Sequence, residues 1–407
     1  MIRPRAHVAA MAAYALADPI DARTVSLAQN ESAFAPSPQA LEAGRAAFGD
    51  ARLYPDPDWR ELRAAIAHVH GLDADALLCG AGSMELIGAL VGAFAGEGDE
   101  VLGSEHGYLF VATAAMLARA RYVTAPEREL AVSVDALLAA VTARTRIVVL
   151  CNPGNPSGTR IANAEIVRLR EALAPQALLV VDQAYAEFDE QDQRSVFALV
   201  ARGDTVVLRT FSKAYALAGA RVGWGLFPAP VAQAARKLLN PNNISGVSQA
   251  MAAAAMRDRD WTRRIVERTA SRRDAFAEAL RTAGYRVPES HTNFVLIRLA
   301  NAAAATEAER RLRAAGVMPR VMGGYGLSDC LRVTIGPEEA MARALVVLTE
   351  RREGGEGERA TPDTATAERV QLGDGERARV SDGFATETDD HGSGGDGAWR
   401  TSHGEFG

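Results

Sequence analysis

Lysine is the scarcest functional residue in this chain, since Lys213 and Lys237 are the only two among 45 basic residues. Cysteine is also rare, and its three residues show no disulfide or metal-ligand spacing. No uncharged apolar run approaches the roughly 18 residues that a membrane helix needs. These absences exclude a disulfide scaffold and a membrane-spanning protein, and they indicate a cytoplasmic location with no metal site.

The N-terminus resembles a secretory signal only in part. Arg3 and Arg5 precede an Ala-rich stretch that ends in the pattern Ala15-Leu16-Ala17. The stretch contains His7 and is weakly apolar, so we do not expect it to act as a signal.

The net charge of −6 lies entirely in the last part of the 407-residue chain. Residues 351–407 hold 7 Arg against 13 Asp and Glu, and they also hold 12 of the 36 glycines. Such a segment buries too little apolar surface to offset its ordering entropy, so we predict a disordered tail. The neutral remainder lacks the basic face of a nucleic-acid-binding protein.

Short apolar runs alternate with helix-period segments along the body of the chain. The runs are nearly uniformly apolar, as in strands covered on both faces: 77–79, 101–102, 147–150, 178–181 and 206–208. This alternation predicts an α/β fold with a mainly parallel sheet sandwiched by helices. Longer helices and the runs 294–297 and 331–333 indicate a smaller α+β domain. We predict an N-terminal segment 1–45 that joins the small domain, a large domain 46–265, the small domain 266–350 and the tail 351–407.

Lys213 differs from Lys237 in its setting. Arginine stays protonated and cannot act as an amine nucleophile, so a chain that retains one loop lysine is expected to need its amine. Lys237 has the sequence context of a helix surface, whereas Lys213 follows the strand 206–208, at a strand end where α/β proteins bind ligands. Lys213 is therefore the candidate nucleophile.

Other chemically useful side chains also follow predicted strands. Asp182 directly follows the run 178–181, and Tyr185 comes three residues later. Asn155 lies in the Pro- and Gly-rich loop after 147–150, and Arg221 comes eight residues after Lys213. The Gly-rich turn 80–85 can hold a phosphate on its backbone N–H groups. An amine, a carboxylate, a phenol, an amide, a guanidinium and an anion-binding turn match the requirements of pyridoxal phosphate.

With these motifs the chain resembles the fold-type-I, class I/II aminotransferases, and among them the histidinol-phosphate aminotransferase group. The resemblance covers about residues 27–335 and is strongest at 152–158, 181–188, 210–223, 324–327 and 331–336. It implies the fold of the pyridoxal-phosphate-dependent transferases of fold type I. It also implies pyridoxal 5'-phosphate as the cofactor.

The resemblance assigns roles residue by residue. Lys213 would bind the cofactor covalently and move the substrate proton, Asp182 would pair with the pyridine nitrogen, and Tyr185 with Asn155 would bind the ring hydroxyl. The remaining cofactor-binding residues would hold the phosphate or stack on the ring: Ser83, Met84, Thr210, Ser212, Arg221 and Tyr108. Tyr54 would reach the phosphate of a neighbouring subunit, which implies a homodimer with shared active sites. The implied substrate-binding residues are Arg332, Arg320, Tyr14 and Asn30.

The departures from the family pattern lie near the substrate, for example at Ser32, His106 and Gln183. The resemblance therefore implies an aminotransferase acting on histidinol phosphate or an aromatic amino acid with 2-oxoglutarate. Alternatives are an aminotransferase for another amino acid and a decarboxylase of a phosphorylated amino acid on the same fold. A non-catalytic regulatory protein is less favoured, because Lys213 is present and no DNA-binding module precedes it.

Overall fold

A sheet of seven strands forms the centre of the computed structural model, which describes residues 2–11 and 23–350. Tyr14, the Ala15–Ala17 pattern and the predicted tail 351–407 lie outside these residues. Within the described ranges, no helix is both long and apolar enough to cross a membrane.

The strands are β1 (Val25–Ser26), β2 (Leu77–Gly80), β3 (Glu100–Ser104), β4 (Arg121–Ala125), β5 (Thr145–Cys151), β6 (Leu178–Asp182), β7 (Thr205–Thr210), β8 (Gly223–Leu226), β9 (Phe294–Arg298), β10 (Val317–Met318), β11 (Arg320–Val321) and β12 (Cys330–Thr334).

The helices are α1 (Ala6–Ala9), α2 (Pro38–Phe48), α3 (Arg60–His70), α4 (Ser83–Phe94), α5 (Phe110–Leu117), α6 (Val134–Ala140), α7 (Asn163–Ala172), α8 (Arg194–Ala198), α9 (Ala229–Arg236), α10 (Gly246–Arg257), α11 (Arg259–Thr282), α12 (Ala302–Ala314) and α13 (Glu338–Thr349).

The central sheet has the strand order β2-β8-β7-β6-β5-β3-β4. Pairs among β3, β4, β5, β6 and β7 are parallel, whereas β8 runs antiparallel to both β7 and β2. Every residue of β6 and β7 is buried, which means that helices cover both faces of the sheet there. The predicted α/β fold with a mainly parallel sheet is confirmed.

A second, smaller sheet joins β11, β12 and β9 in antiparallel order. Its apolar side chains belong to a separate hydrophobic cluster that runs from Phe276 to Leu348 and includes Leu27. The predicted boundaries after residues 45 and 265 fall inside α2 and α11, so the two parts share helices. The division into a large and a small domain stays a prediction.

Glu100, the first residue of β3, is a buried carboxylate that ties three strands together. It accepts hydrogen bonds from Arg121 in β4 at 2.5 Å, and from Thr142 and Arg144 just before β5 at 2.7 and 3.0 Å. The hydrogen bond from Thr142 is the largest cause that lowers the pKa of Glu100 to about 2, and the two arginines add to it. The ionised carboxylate therefore stabilises this edge of the sheet.

We expect Glu100→Gln to lower the free energy of unfolding near neutral pH by about 1–3 kcal/mol, because the charged acceptor is lost. Folding lowers the pKa of Glu100, so its stabilising effect is complete above the unfolded pKa of about 4.3. The effect is lost as the pH falls through about 2. Denaturant unfolding measured across this pH range should show that the difference in free energy of unfolding between wild type and variant decreases as the pH falls.

The matched control is Glu97→Gln, because Glu97 pairs with Arg119 and both side chains are exposed. It should change the free energy of unfolding by less than about 0.5 kcal/mol. A gap between wild type and Glu100→Gln that stays constant with pH would contradict the assignment.

Candidate functional site

The carboxyl ends of the parallel strands open into one cavity of about 470 Å³. Thirteen of the fifteen predicted site residues line it: Asn30, Ser83, Met84, Tyr108, Asn155, Asp182, Tyr185, Thr210, Ser212, Lys213, Arg221, Arg320 and Arg332. Parallel strands deliver their carboxyl ends to the same sheet edge, so residues far apart in sequence meet there.

Lys213 lies half-buried in this cavity, three residues beyond β7. Its Nζ donates to the backbone oxygen of Gln29 at 3.0 Å and lies 6.0 Å from the ring centroid of Tyr185. Burial lowers the pKa of Lys213 to about 7, and the nearby guanidinium of Arg332 lowers it further. A large fraction of the amine is therefore neutral near pH 7, as a nucleophile or base requires.

Asp182 ends β6 and is only 4% exposed. Its Oδ1 accepts a hydrogen bond from the backbone N–H of Ala184 at 3.1 Å. Burial raises the pKa of Asp182 to about 6, while the Ala184 amide and the Lys213 ammonium oppose that rise. A buried carboxylate of this kind is stabilised in its ionised form by a cationic N–H group, and a protonated pyridine nitrogen is one.

An anion-binding cradle lies at the start of α4, opposite Arg221. Gly82 has φ +85°, and a Cβ there would lie 2.6 Å from Nη2 of Arg221. A Cβ on Gly223 would lie 2.2 Å from the backbone nitrogen of Ser83, so glycine alone lets β8 approach this turn. The helix N-terminus and the guanidinium together favour a phosphate.

Hydroxyl groups complete the cradle. Arg221 donates through Nη1 to the backbone oxygen of Ala218 at 3.1 Å and to Oγ of Ser212 at 3.4 Å. The Thr210 hydroxyl donates to the same Ser212 oxygen at 3.0 Å. The donor set therefore consists of backbone N–H groups, a guanidinium and two hydroxyls, and it fits the phosphate of pyridoxal 5'-phosphate.

Arg332 lies in β12 on one wall of the cavity and connects it to Asn155 and Ala28. Its Nη1 donates to Oδ1 of Asn155 at 2.5 Å, and its Nη2 donates to the backbone oxygen of Ala28 at 2.6 Å. Its guanidinium carbon lies 5.2 Å from the ring centroid of Phe294. Arg320 lies directly across from Arg332 in the β11–β12 register and also lines the cavity. This wall carries two guanidinium groups suited to an anionic substrate.

Asn30 holds the segment before α2 against the site in a left-handed backbone conformation with φ 56°. Its Nδ2 donates to the Tyr185 hydroxyl at 2.9 Å. Its backbone N–H donates to Oγ1 of Thr334 at 3.0 Å, and that hydroxyl donates to Oδ1 of Asn30 at 3.1 Å. Burial raises the pKa of Tyr185, so its phenol keeps its proton in the pH range where the amine of Lys213 titrates.

Of the other two predicted site residues, Tyr54 does not line this cavity and is 89% exposed. Tyr14 lies outside the described residues. Sequence reasoning missed the Gln29 carbonyl, the carboxylate of Glu31, and Cys151 and Tyr325, all of which line the cavity. Tyr325 lies in a motif that the resemblance had used, whereas a backbone carbonyl leaves no signal in a sequence. Among the described residues, no three His, Cys, Asp or Glu side chains are grouped to hold a metal ion.

Comparison with known proteins gives consistent matches over most of the chain. The family described as aminotransferase class I and II matches residues 22–348. The histidinol-phosphate aminotransferase of Jannaschia sp. is 42% identical over 333 residues, which cover 82% of this chain and 91% of the relative. That of Paramagnetospirillum magneticum is 44% identical over 332 residues, which cover 81% and 92%.

Solved structures agree with the fold. The crystal structure of histidinol-phosphate aminotransferase from Sinorhizobium meliloti in complex with pyridoxal-5'-phosphate is 32% identical and has a TM-score of 0.76. The aligned part covers 80% of this chain and 89% of the Sinorhizobium meliloti chain. A double mutant of Thermus thermophilus aspartate aminotransferase, at 21% identity and a TM-score of 0.74, shares the fold and covers 86% and 99%. The predicted fold type I is confirmed.

We expect the amine of Lys213 to react with an acylating reagent at unusually low pH when the cavity is free of small molecules. The acylation rate should rise with a midpoint near pH 7, because burial and Arg332 lower the pKa of Lys213 to about 7. An unstructured lysine peptide with a pKa of about 10.4 is the reference. Mass spectrometry of the Lys213 peptide measures the rate.

Two variants test the cause of this shift. Arg332→Gln removes a neighbouring positive charge and should move the midpoint to higher pH, whereas Asp182→Asn removes a negative charge and should move it lower. A wild-type midpoint equal to that of the reference peptide would contradict the proposed environment of Lys213.

Proposed function

The chain belongs to the aminotransferase class I and II family, and on that premise we propose that it transfers the amino group of histidinol phosphate to 2-oxoglutarate with pyridoxal 5'-phosphate as cofactor. The names of its relatives support the donor, and the cofactor held by the Sinorhizobium meliloti protein supports the cofactor. The observation that carries the proposal is one cavity that unites Lys213, Asp182 and the Arg221 cradle.

Bound pyridoxal 5'-phosphate supplies an aldehyde carbon that can be joined to an amine and a ring that withdraws electrons from the donor α-carbon. Lys213 supplies the amine that holds the cofactor, because its lowered pKa keeps that amine reactive near pH 7. With the cofactor bound, the neutral amine of Lys213 would take the proton from the donor α-carbon, and its ammonium form would return a proton within the same site.

Asp182 would keep the pyridine nitrogen protonated, since its buried carboxylate accepts a hydrogen bond from the Ala184 N–H and would be stabilised by a cationic partner. Tyr185 and Asn155 would orient the ring through its hydroxyl, while Arg221, Ser212, Thr210 and the N–H groups at Ser83 and Met84 would hold the phosphate. Tyr108, whose hydroxyl lies 3.4 Å from Sδ of Met84, lines the same cavity and would stack on the ring.

Arg332 and Arg320 bind the anionic end of the substrate, and Asn30 lines the same cavity. Tyr14 stays a substrate-binding residue that the family resemblance alone implies. Two guanidinium groups suit a phosphate or a carboxylate for the same geometric reason, so one pocket accepts histidinol phosphate in one half-reaction and 2-oxoglutarate in the other. The aminotransferase relatives favour this reaction over the decarboxylase and the regulatory protein. The described cysteines form no disulfide, which supports a cytoplasmic location.

A homodimer with shared active sites completes the proposal. Tyr54 does not line the cavity of its own chain, and its side chain is 89% exposed. Phe48 and Leu53, six residues and one residue before it in the chain, are exposed apolar residues as well. A second copy that covers this surface would bring the Tyr54 hydroxyl to the phosphate in the partner's cavity.

We expect histidinol phosphate alone to convert the yellow cofactor form to a colourless form, and 2-oxoglutarate to restore the colour. Stopped-flow absorbance measures both half-reactions. Lys213→Ala should abolish the colour change, and the matched control Lys237→Ala, which alters the other lysine on an exposed helix end, should not. Colour change with aromatic amino acids but not with histidinol phosphate would contradict the proposed donor.

Arg332→Gln should raise the KM of both substrates about 10–100-fold while the cofactor stays bound, because a charged hydrogen-bond donor to the substrate anion is lost. Steady-state kinetics with each substrate varied in turn measures the change. An unchanged KM for both substrates would contradict the proposal that Arg332 binds the substrate.

Subunit mixing tests the shared site. Lys213→Ala and Tyr54→Ala dimers should each be impaired, whereas a mixture allowed to exchange subunits should regain roughly a quarter of wild-type activity, since half of the dimers then hold one intact site. Mixing Lys213→Ala with Asp182→Asn is the control and should regain none, because both residues line the same chain's cavity. No gain in the first mixture would contradict the shared site.

A further inference from the structure

A buried arginine lies on the face of the central sheet that points away from the cavity. Arg209 is the residue before Thr210 in β7, and successive side chains of a strand point to opposite faces. Thr210 lines the cavity, so Arg209 points to the other side, where it is 4% exposed and pairs with Trp224 in the β7–β8 register. Arg209 therefore touches neither cofactor nor substrate.

Among the described residues, the guanidinium of Arg209 makes two side-chain hydrogen bonds, both with the segment that follows β6. Its Nη2 donates to Oε1 of Gln183 at 3.2 Å, and its Nη1 donates to Oε1 of Glu187 at 3.3 Å. Its guanidinium carbon lies 5.1 Å from the ring centroid of Phe197 and 5.9 Å from that of Trp224. The aromatic rings and the two acceptors leave the group one orientation.

Between these two contacts lies the part of the chain that supplies the cofactor-facing groups. Gln183 directly follows Asp182, the N–H of Ala184 donates to the Asp182 carboxylate, and Tyr185 lies two residues before Glu187. The backbone N–H of Gln183 also donates to the oxygen of Leu208 at 2.8 Å, which fixes the segment to β7 at one end only. The contact with Glu187 fixes the other end.

We propose that Arg209 is a positioning residue for the transamination. It holds segment 183–187 so that Asp182 and Tyr185 keep the positions from which they contact the cofactor ring. Stability alone is a weak reason for this ion pair, since a buried pair repays little more than its own desolvation. Small displacements of reacting groups, in contrast, cost orders of magnitude in rate. The inference rests on the proposed roles of Asp182 and Tyr185.

The test separates position from stability with the double variant Arg209→Met/Glu187→Met. Arg209→Met alone leaves a buried carboxylate without its partner and should lower the thermal midpoint of the cofactor-free protein. The double variant removes that carboxylate and should regain most of the midpoint. We expect its cofactor dissociation constant to stay raised about 10-fold and its kcat to stay lowered about 10–100-fold, with the donor KM within about twofold.

Arg209→Lys gives a second, independent readout. Lysine keeps the charge but lacks the planar fork that reaches two acceptors together. Its thermal midpoint should lie near that of the wild type while cofactor affinity and kcat fall, and this variant decides the matter if the double variant does not fold. Arg63→Met is the control, because Arg63 is also buried but bonds to Ala74 and Asp75 away from the cavity. It should lower the midpoint and leave cofactor affinity unchanged.

Wild-type cofactor affinity and kcat in the double variant, or in Arg209→Lys, overturn the inference. Asp182→Asn is measured alongside to keep two failures apart. If Asp182→Asn is defective and the Arg209 variants are normal, the inference alone fails. If Asp182→Asn is itself normal, the proposed role of Asp182 fails and the inference fails with it.

Discussion

The common direction of β5, β6 and β7 is the constraint on which the site depends. Because the three strands run parallel, the chain leaves each of them at the same sheet edge, and Asn155, Asp182 and Lys213 meet although they are distant in sequence. The buried strands cannot slip by one residue, since a slip would turn each buried side chain to the opposite face. The packing of the sheet thus sets the geometry of the chemistry.

Charge organises the cavity that this constraint creates. Arg221, Arg320 and Arg332 line the cavity together with Lys213. After burial, the guanidinium groups of Arg332 and Arg221 lower the pKa of Lys213. Their positive charge also favours anions in the cavity. Asp182 is the deeply buried counter-charge, and the Ala184 amide keeps it in place.

Much of this arrangement could be predicted from the sequence, for identifiable reasons. The runs 147–150, 178–181 and 206–208 are uniformly apolar because both faces of β5, β6 and β7 are covered, and all three are confirmed as strands. By contrast, β8 has the sequence Gly-Trp-Gly-Leu and was not predicted, because glycine has a low strand propensity. Its two glycines are needed because Ser83 and Leu208 approach them too closely for a side chain. The scarcity of lysine identified Lys213 as the candidate nucleophile.

What the sequence could not supply was contact across the cavity. The hydrogen-bond partner of Lys213 is the backbone oxygen of Gln29, and a backbone oxygen cannot be recognised from residue type. Asn155 follows β5 of the central sheet, whereas its partner Arg332 lies in β12 of the smaller sheet. The exposure of Tyr54 is likewise a property of the folded surface.

Asn30 acts mechanically as a joint between parts of the molecule that are otherwise far apart in the chain. One side chain and its own backbone N–H connect the segment before α2 to Tyr185 after β6 and to Thr334 at the end of β12. The strand that carries Arg332 is therefore connected through Asn30 to the Tyr185 phenol, whose ring centroid lies 6.0 Å from Nζ of Lys213. If Arg332 binds the substrate as proposed, one residue thus connects the substrate-binding strand with the phenol near the reactive amine.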